Sequence, residues 1–142
     1  MRARHDRLGR AQELVRLARE AATKAYAPYS GFHVGAALRL ADGRRFAGAN
    51  VENAAYPQGQ CAEASAIGAM VAAGATEIAE VAVTAERLEI CPPCGGCRQR
   101  LAEFAGPDVA VHLCGPEGVR KSIRFADLLP YSFGTETLAR PG

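Results

Sequence analysis

Tryptophan is absent from the 142 residues, and aromatic side chains make up only 6% of them. Alanine takes their place, which favours closely packed helices. No run of about 18 apolar residues occurs, so a membrane span is not expected, and the N-terminus has no apolar segment of the kind a secretory leader needs. A cytoplasmic protein is the resulting expectation. Charge of neither sign dominates, since the formal net charge is +2. Its basic part is concentrated near the start, at Arg2, Arg4, Arg7, Arg10, Arg16 and Arg19. These arginines read as the solvated face of a helix. They have no interleaved aromatics, as a single-strand nucleic-acid groove would require, so no nucleic-acid partner is expected. His5 and His33 read as exposed or incidental. The five cysteines are odd in number and spaced unlike a disulfide framework, which suits a reducing compartment. Repeats, linkers and low-complexity segments are missing, so residues 1–142 read as one domain. With 49% hydrophobic residues that domain has enough apolar surface for a core of its own.

What is present is a cluster of chemistry. Cys61-Ala62-Glu63 is followed, 33 positions after its cysteine, by Pro93-Cys94-Gly95-Gly96-Cys97. Three thiols and a carboxylate are the makings of a zinc site with an open fourth corner, because closed structural sites use four protein ligands. If Cys61 opens a helix, Glu63 shares its first turn, and the helix dipole there stabilises a thiolate. Cys94 and Cys97 suit a second helix start, with Pro93 just ahead of it. Three other readings are open. Cys61 and Glu63 taken alone resemble a buried helical thiol and an exposed glutamate. Cys94 and Cys97 have the spacing to join His112 and Cys114 in a closed structural zinc site. Cys91-Pro92-Pro93-Cys94 has the form of a redox dithiol, although Cys91 and Cys114 fit better as small packed residues.

Periodicity supplies the scaffold. Leu8, Ala11, Leu14, Val15, Ala18, Ala21, Ala22 and Ala25 recur at helical spacing, predicting a helix over 6–27 ended by Pro28. Residues 32–40 alternate as a strand, Asp42-Gly43 is a hairpin turn, and 44–50 return as its partner. Helix resumes near Cys61 and stops about Gly74. Val81 to Val83 lie in a buried-type strand, a helix covers about 94–105, and 109–114 and 119–124 are strands. Gly115-Pro116-Glu117-Gly118 is too short for a crossover, so the last two strands are expected to pair antiparallel.

The flanking residues carry a resemblance. Phe32 to Leu38, Asn50-Val51-Glu52-Asn53-Ala54-Ala55-Tyr56-Pro57, Cys94 to Gln99, and Leu128-Leu129-Pro130-Tyr131-Ser132-Phe133 each resemble cytidine deaminase motifs, in that family's order. The match is to the small homotetrameric type with three cysteine ligands. It implies a three-layer α/β/α fold with a mixed five-stranded sheet, whose last two strands are antiparallel. It also implies Zn²⁺ held by Cys61, Cys94 and Cys97, with Glu63 as proton shuttle in the hydrolysis of cytidine and deoxycytidine to their uracil counterparts. Phe32 would pack by the nucleoside, Asn50 and Glu52 would bind the ribose hydroxyls, and the Ala62 N–H would contact the attacked-side oxygen. Tyr56 and Phe133 would reach a neighbouring subunit's site, Phe133 stacking on the base. Relatives that act on polynucleotides usually insert a helix where this chain has its four-residue turn, so a free nucleoside is expected. Two positions depart from the pattern. Ala64 stands where an arginine commonly bonds the thiolates, and Pro92 where serine is frequent. With Ala64 uncharged, Arg98, next to Cys97, is expected to turn toward the sulfurs. Two alternatives keep the metal: a deaminase of modified cytosine nucleosides, N4-substituted or of the blasticidin S kind, and a non-catalytic zinc-stabilised binding module.

Overall fold

Asp42 and Gly43 open the sheet. The computed structural model describes residues 2–138. In it Gly43 takes a left-handed φ of 93°, which glycine adopts at little cost. The chain doubles back there, and β1 (Val34–Arg39) pairs antiparallel with β2 (Arg45–Ala49). On its other side β1 pairs antiparallel with β3 (Ile78–Ala85). β3 runs parallel to β4 (Ala105–Gly115), and β4 antiparallel to β5 (Gly118–Arg124), giving the order β2-β1-β3-β4-β5. A parallel pair needs a crossover, and helix α3 (Gly95–Phe104) lies in the connection from β3 to β4. β4 and β5 are joined by the short Gly115–Gly118 turn, as its length predicts.

Side chains alternate across the strands and divide the core in two. Ala37, Ala82 and Cys114 meet Leu14, Val15 and Ala18 of α1 (Arg2–Ala22). Ala36, Leu38, Val81, Val83, Val111 and Leu113 face the other way, onto Ala66, Ile67 and Met70 of α2 (Ala62–Ala72) and Leu101 of α3. The arrangement is the expected three-layer α/β/α with a mixed five-stranded sheet. Two glycines set the layer spacing. A Cβ on Gly35 would lie 1.9 Å from the Ala18 carbonyl oxygen of α1, and one on Gly48 would lie 2.4 Å from the Ala66 nitrogen of α2. Both helices therefore rest directly on strand backbone. No helix among the described residues is long and apolar enough to cross a membrane.

Two element ends and one burial differ most from the sequence expectation. The first helix ends at Ala22, not near Pro28, because Tyr26 pairs its backbone with the chain after β2: its N–H bonds Asn50 O at 3.0 Å and its carbonyl accepts from Glu52 at 2.8 Å. Leu8, expected inside, is 58% exposed, since the buried stripe of α1 begins at Leu14. β4 starts at Ala105 rather than 109, where Gly106 and Pro107 mask the strand and the β3–β4 register shifts between Ile78 and Glu80. Of the early basic residues, Arg16 is exposed and paired with Glu13 and Glu20. The side chains of Arg2, Arg4 and His5 lie outside the described residues, and His33 is exposed.

Candidate active site

Cys61 and Cys94 are both helix N-caps, extended at φ −73° and −66° just before α2 and α3 begin. Local chemistry explains each start. The 50–60 loop is closed by backbone bonds between Val51 and Gln60, 2.9 and 2.8 Å, which deliver the chain to Cys61. Fully buried Pro93 delivers it to Cys94. Glu63 then falls in the first turn of α2, and Cys97 in the first turn of α3.

The sulfurs of Cys61, Cys94 and Cys97 all lie within 4.8 Å of one another, Cys61 and Cys94 being 3.9 Å apart. A tetrahedral zinc with Zn–S bonds of about 2.3 Å spaces its sulfurs roughly 3.8 Å apart, whereas a disulfide needs about 2 Å. The donor set therefore fits a metal, not a bridge. Burial, with the neighbouring thiol and carboxylate charge, raises Cys61 and Cys97 above the ordinary thiol range, while the Cys97 backbone N–H lowers Cys94. Three thiols with such opposed preferences become thiolates together when a divalent cation supplies the positive charge.

Glu63 is buried, and burial raises its carboxyl above the ordinary glutamate value, opposed by its own backbone N–H and by the charge of Arg100. It faces a cavity of about 480 Å³ that Phe32, Asn50, Glu52, Tyr56, Cys61 and Ala62 also line. Cys94 lines it too, while Cys97 is fully buried. The Ala62 N–H stands at the first helical position, where the helix itself offers no acceptor.

Asn50 and Glu52 have backbone partners already. Asn50 Nδ2 donates to Phe32 O at 2.7 Å and its Oδ1 accepts from the Val34 N–H at 2.9 Å. Glu52 Oε1 accepts from the N–H groups of Tyr29 and Ser30, each at 3.0 Å, and its other oxygen from the Ser30 hydroxyl. These bonds hold its carboxyl below the usual range. Both side chains thus fix the loop that carries Phe32. Tyr56 is 76% exposed at the cavity edge, edge-on to Tyr29 at 5.9 Å between ring centroids. Phe133 is 55% exposed and stands outside the cavity lining, its carbonyl accepting from Gln99 at 2.8 Å.

The closed four-ligand reading of the cysteines loses its geometry, and Glu63, exposed on the reading of Cys61 and Glu63 alone, is buried. His112 and Cys114 share a strand face, but it is the α1 face, across the sheet from the thiol cluster. His112 bonds Ser122 at 2.7 Å and Glu80 at 2.6 Å, and Glu80 bonds Arg39 at 2.8 Å, a polar chain spanning four strands. Cys91 packs half-buried beside the core with its thiol pushed up to about 11 by burial, and Cys114 is fully enclosed.

Arg98 corrects the expectation made of it. It turns away from the sulfurs, donating through Nε to Pro93 O and through Nη1 to Leu128 O, both at 2.8 Å. The cation that turns toward them is Arg100, with Nη1 3.8 Å from Cys97 Sγ. Sequence reasoning passed over Arg100, although the signal was available: residues three apart share a helix face, and adjacent ones do not. Ser30, which anchors Glu52, gave no such signal, because its partner is 22 residues away.

This geometry has counterparts. Residues 9–113 match the family model described as the cytidine and deoxycytidylate deaminase zinc-binding region. The cytidine deaminase of Halalkalibacterium halodurans is 40% identical over 127 residues, covering 89% of this chain and 96% of that protein. The crystal structure of cytidine deaminase from Burkholderia pseudomallei superposes with a TM-score of 0.80 at 43% identity, covering 85% of this chain and 97% of that one. Cytidine deaminase from Mycobacterium tuberculosis gives 0.76 at 38%, covering 86% and 95%. With three convergent thiols, a buried carboxylate beside them and a match that runs through most of the chain, the protein belongs to the cytidine and deoxycytidylate deaminase family.

Proposed function

We propose that the protein is a zinc-dependent enzyme that hydrolyses the exocyclic amine of cytidine and deoxycytidine, giving uridine and deoxyuridine with release of ammonia. The observation that carries this reading is the meeting of two helix starts at one cavity, bringing three thiols next to buried Glu63. Zinc on Cys61, Cys94 and Cys97 supplies the Lewis acidity that makes water a nucleophile near neutral pH. Glu63 would take a proton from water and give it to the ring nitrogen, then take the hydroxyl proton of the tetrahedral adduct and give it to the departing amine. Burial suits it for the task, because a carboxyl raised above its ordinary value gives up and regains a proton more readily near neutrality.

The remaining roles follow the cavity. Phe32 offers an apolar wall, and the Ala62 N–H a donor for the oxygen on the attacked side. Asn50 and Glu52 line the same hollow. Each keeps hydrogen-bonding capacity beyond its backbone contacts, which leaves both able to meet ribose hydroxyls. Tyr56 and Phe133, both exposed, complete the site of a neighbouring subunit in a homotetramer. The short antiparallel β4–β5 connection supports a free nucleoside over a polynucleotide. The test is direct: purified protein with cytidine, deoxycytidine and N4-substituted analogues, following the ultraviolet change to the uracil product. Conversion of the first two is expected. Zinc-loaded protein that leaves all of them unchanged would be a binding module instead.

A further inference from the structure

Three thiolates around one divalent cation carry a net charge of −1, which blunts the metal's acidity and is costly in a partly buried site. The N-termini of α2 and α3 offset it with roughly half a charge each. Ala64, directly after the shuttle glutamate, adds none. Arg100 brings a full charge, its Nη1 3.8 Å from the sulfur of Cys97. Two features put it there. Long helical side chains lean toward the N-terminus, and Arg100 stands one turn after Cys97 on α3, so its guanidinium comes back over the start of the helix. Gly96 leaves it room: a Cβ at that position would lie 3.1 Å from Arg100 Nη1, which a small shift of the arginine's end relieves but which a longer side chain would crowd. The same charge acts on the Glu63 carboxyl, opposing the effect of burial.

The geometry points to Arg100 as the positioning residue that offsets the thiolate charge at Cys97. The inference rests on the zinc reading of the three cysteines and goes beyond it by assigning a cation outside the ligand set. The test replaces zinc with cobalt(II), whose thiolate-to-metal charge-transfer band reports directly on the sulfurs. A cation against a thiolate stabilises its lone pairs and raises the energy of that band. Arg100→Gln should therefore shift the band to longer wavelength and speed metal loss to a chelator, by about tenfold or more on the scale of outer-sphere partners. Arg100→Lys, which keeps the charge, should retain most of the wild-type behaviour. Gly96→Leu, which keeps the arginine but crowds its seat, should reproduce part of the glutamine effect. An unchanged band and unchanged retention in Arg100→Gln overturn the inference, as does a lysine variant no better than glutamine. Wild-type protein with no thiolate–cobalt band would overturn the metal site itself. Wild-type protein with that band but no action on cytidine would overturn the proposed reaction and leave the role of Arg100 standing.

Discussion

Glu63 is 4% exposed, against a cavity that a nucleoside-sized ligand can enter. Glutamine in its place keeps the shape and loses the proton. A positioned acid–base group contributes about 10²–10⁴-fold, and in the proposed reaction one carboxyl serves successive transfers. Glu63→Gln should therefore lower kcat by at least that factor while leaving zinc content and melting temperature near wild type. Retention of a tenth of the activity would remove Glu63 from the shuttle role. Arg98 and Arg100 teach the complementary lesson at this scale. Adjacent residues on a helix are turned about 100° apart, so the arginine next to a ligand cysteine is poorly aimed at it, and the one a turn later is well aimed. Arg98 instead bonds the carbonyls of Pro93 and Leu128, tying the segment before α3 to the turn after β5.

Among the elements, the seat of α2 on the sheet depends on the missing side chain of Gly48. Gly48 of β2 lies under the backbone of Ala62 and Ala66. Gly48→Ala cannot be relieved by a rotamer change, because the atoms it meets are backbone of Ala66 and Ala62 and the Cβ of Ser65, which no rotamer moves. It should cost about 1–3 kcal/mol and displace the start of α2, so activity should fall with stability. Gly68, on the exposed face of the same helix, has nothing within 4 Å of an added Cβ. Gly68→Ala should stabilise by roughly 0.5–1 kcal/mol through helix propensity alone. Denaturant titration of the two variants checks the opposite signs, and the same sign in both would refute this account of the packing.

The strands carry a second dependence, on pH. Burial alone would raise Glu80, but the hydrogen bonds and charges of His112 and Arg39 outweigh it and hold the carboxyl below its ordinary value of 4.5. A depressed folded-state value means that this stabilisation is fully present above the unfolded value and is lost as pH falls through the folded one. Wild type should therefore lose stability below about pH 4.5 more steeply than Glu80→Gln, which has no carboxyl to protonate. Parallel acid-unfolding curves for the two proteins would show that the Arg39–Glu80–His112 chain does not contribute to acid sensitivity.

For the whole molecule, the surface is the informative part. All four tyrosines are exposed, Tyr26 at 57%, Tyr29 at 51%, Tyr56 at 76% and Tyr131 at 106%, together with Phe133 and Leu138. These exposed rings offer apolar surface for the subunit contacts proposed above. Light scattering of the active enzyme should give a tetramer, and an active monomer at assay concentration would contradict the shared site. Phe133→Ala should raise KM far more than it lowers kcat, by about 1–3 kcal/mol if base–aromatic stacking values hold here. An unchanged KM would place Phe133 outside every binding site.

Sequence by itself determined the local pieces and their chemistry. Cys94 was legible as a helix start because Pro93 precedes it, and helix was legible near Cys61 from the apolar pattern that follows. The hairpin at Asp42-Gly43 and the antiparallel last pair were legible because turn length limits topology. Tertiary structure alone decided how the pieces are used. Only packing of α2 beside α3 brings thiols 33 positions apart to 3.9 Å. Only the alternation of β4 sends His112 and Cys114 to the opposite face from the cluster. The partners of Glu52 and Glu80 are 22 to 41 residues distant, so no local pattern announces them. Which backbone groups Asn50 holds, and which arginine meets a sulfur, are settled by where the chain returns on itself. Local propensity and spacing act over a turn or a strand, whereas charge balance and hydrogen-bond partnership act through space.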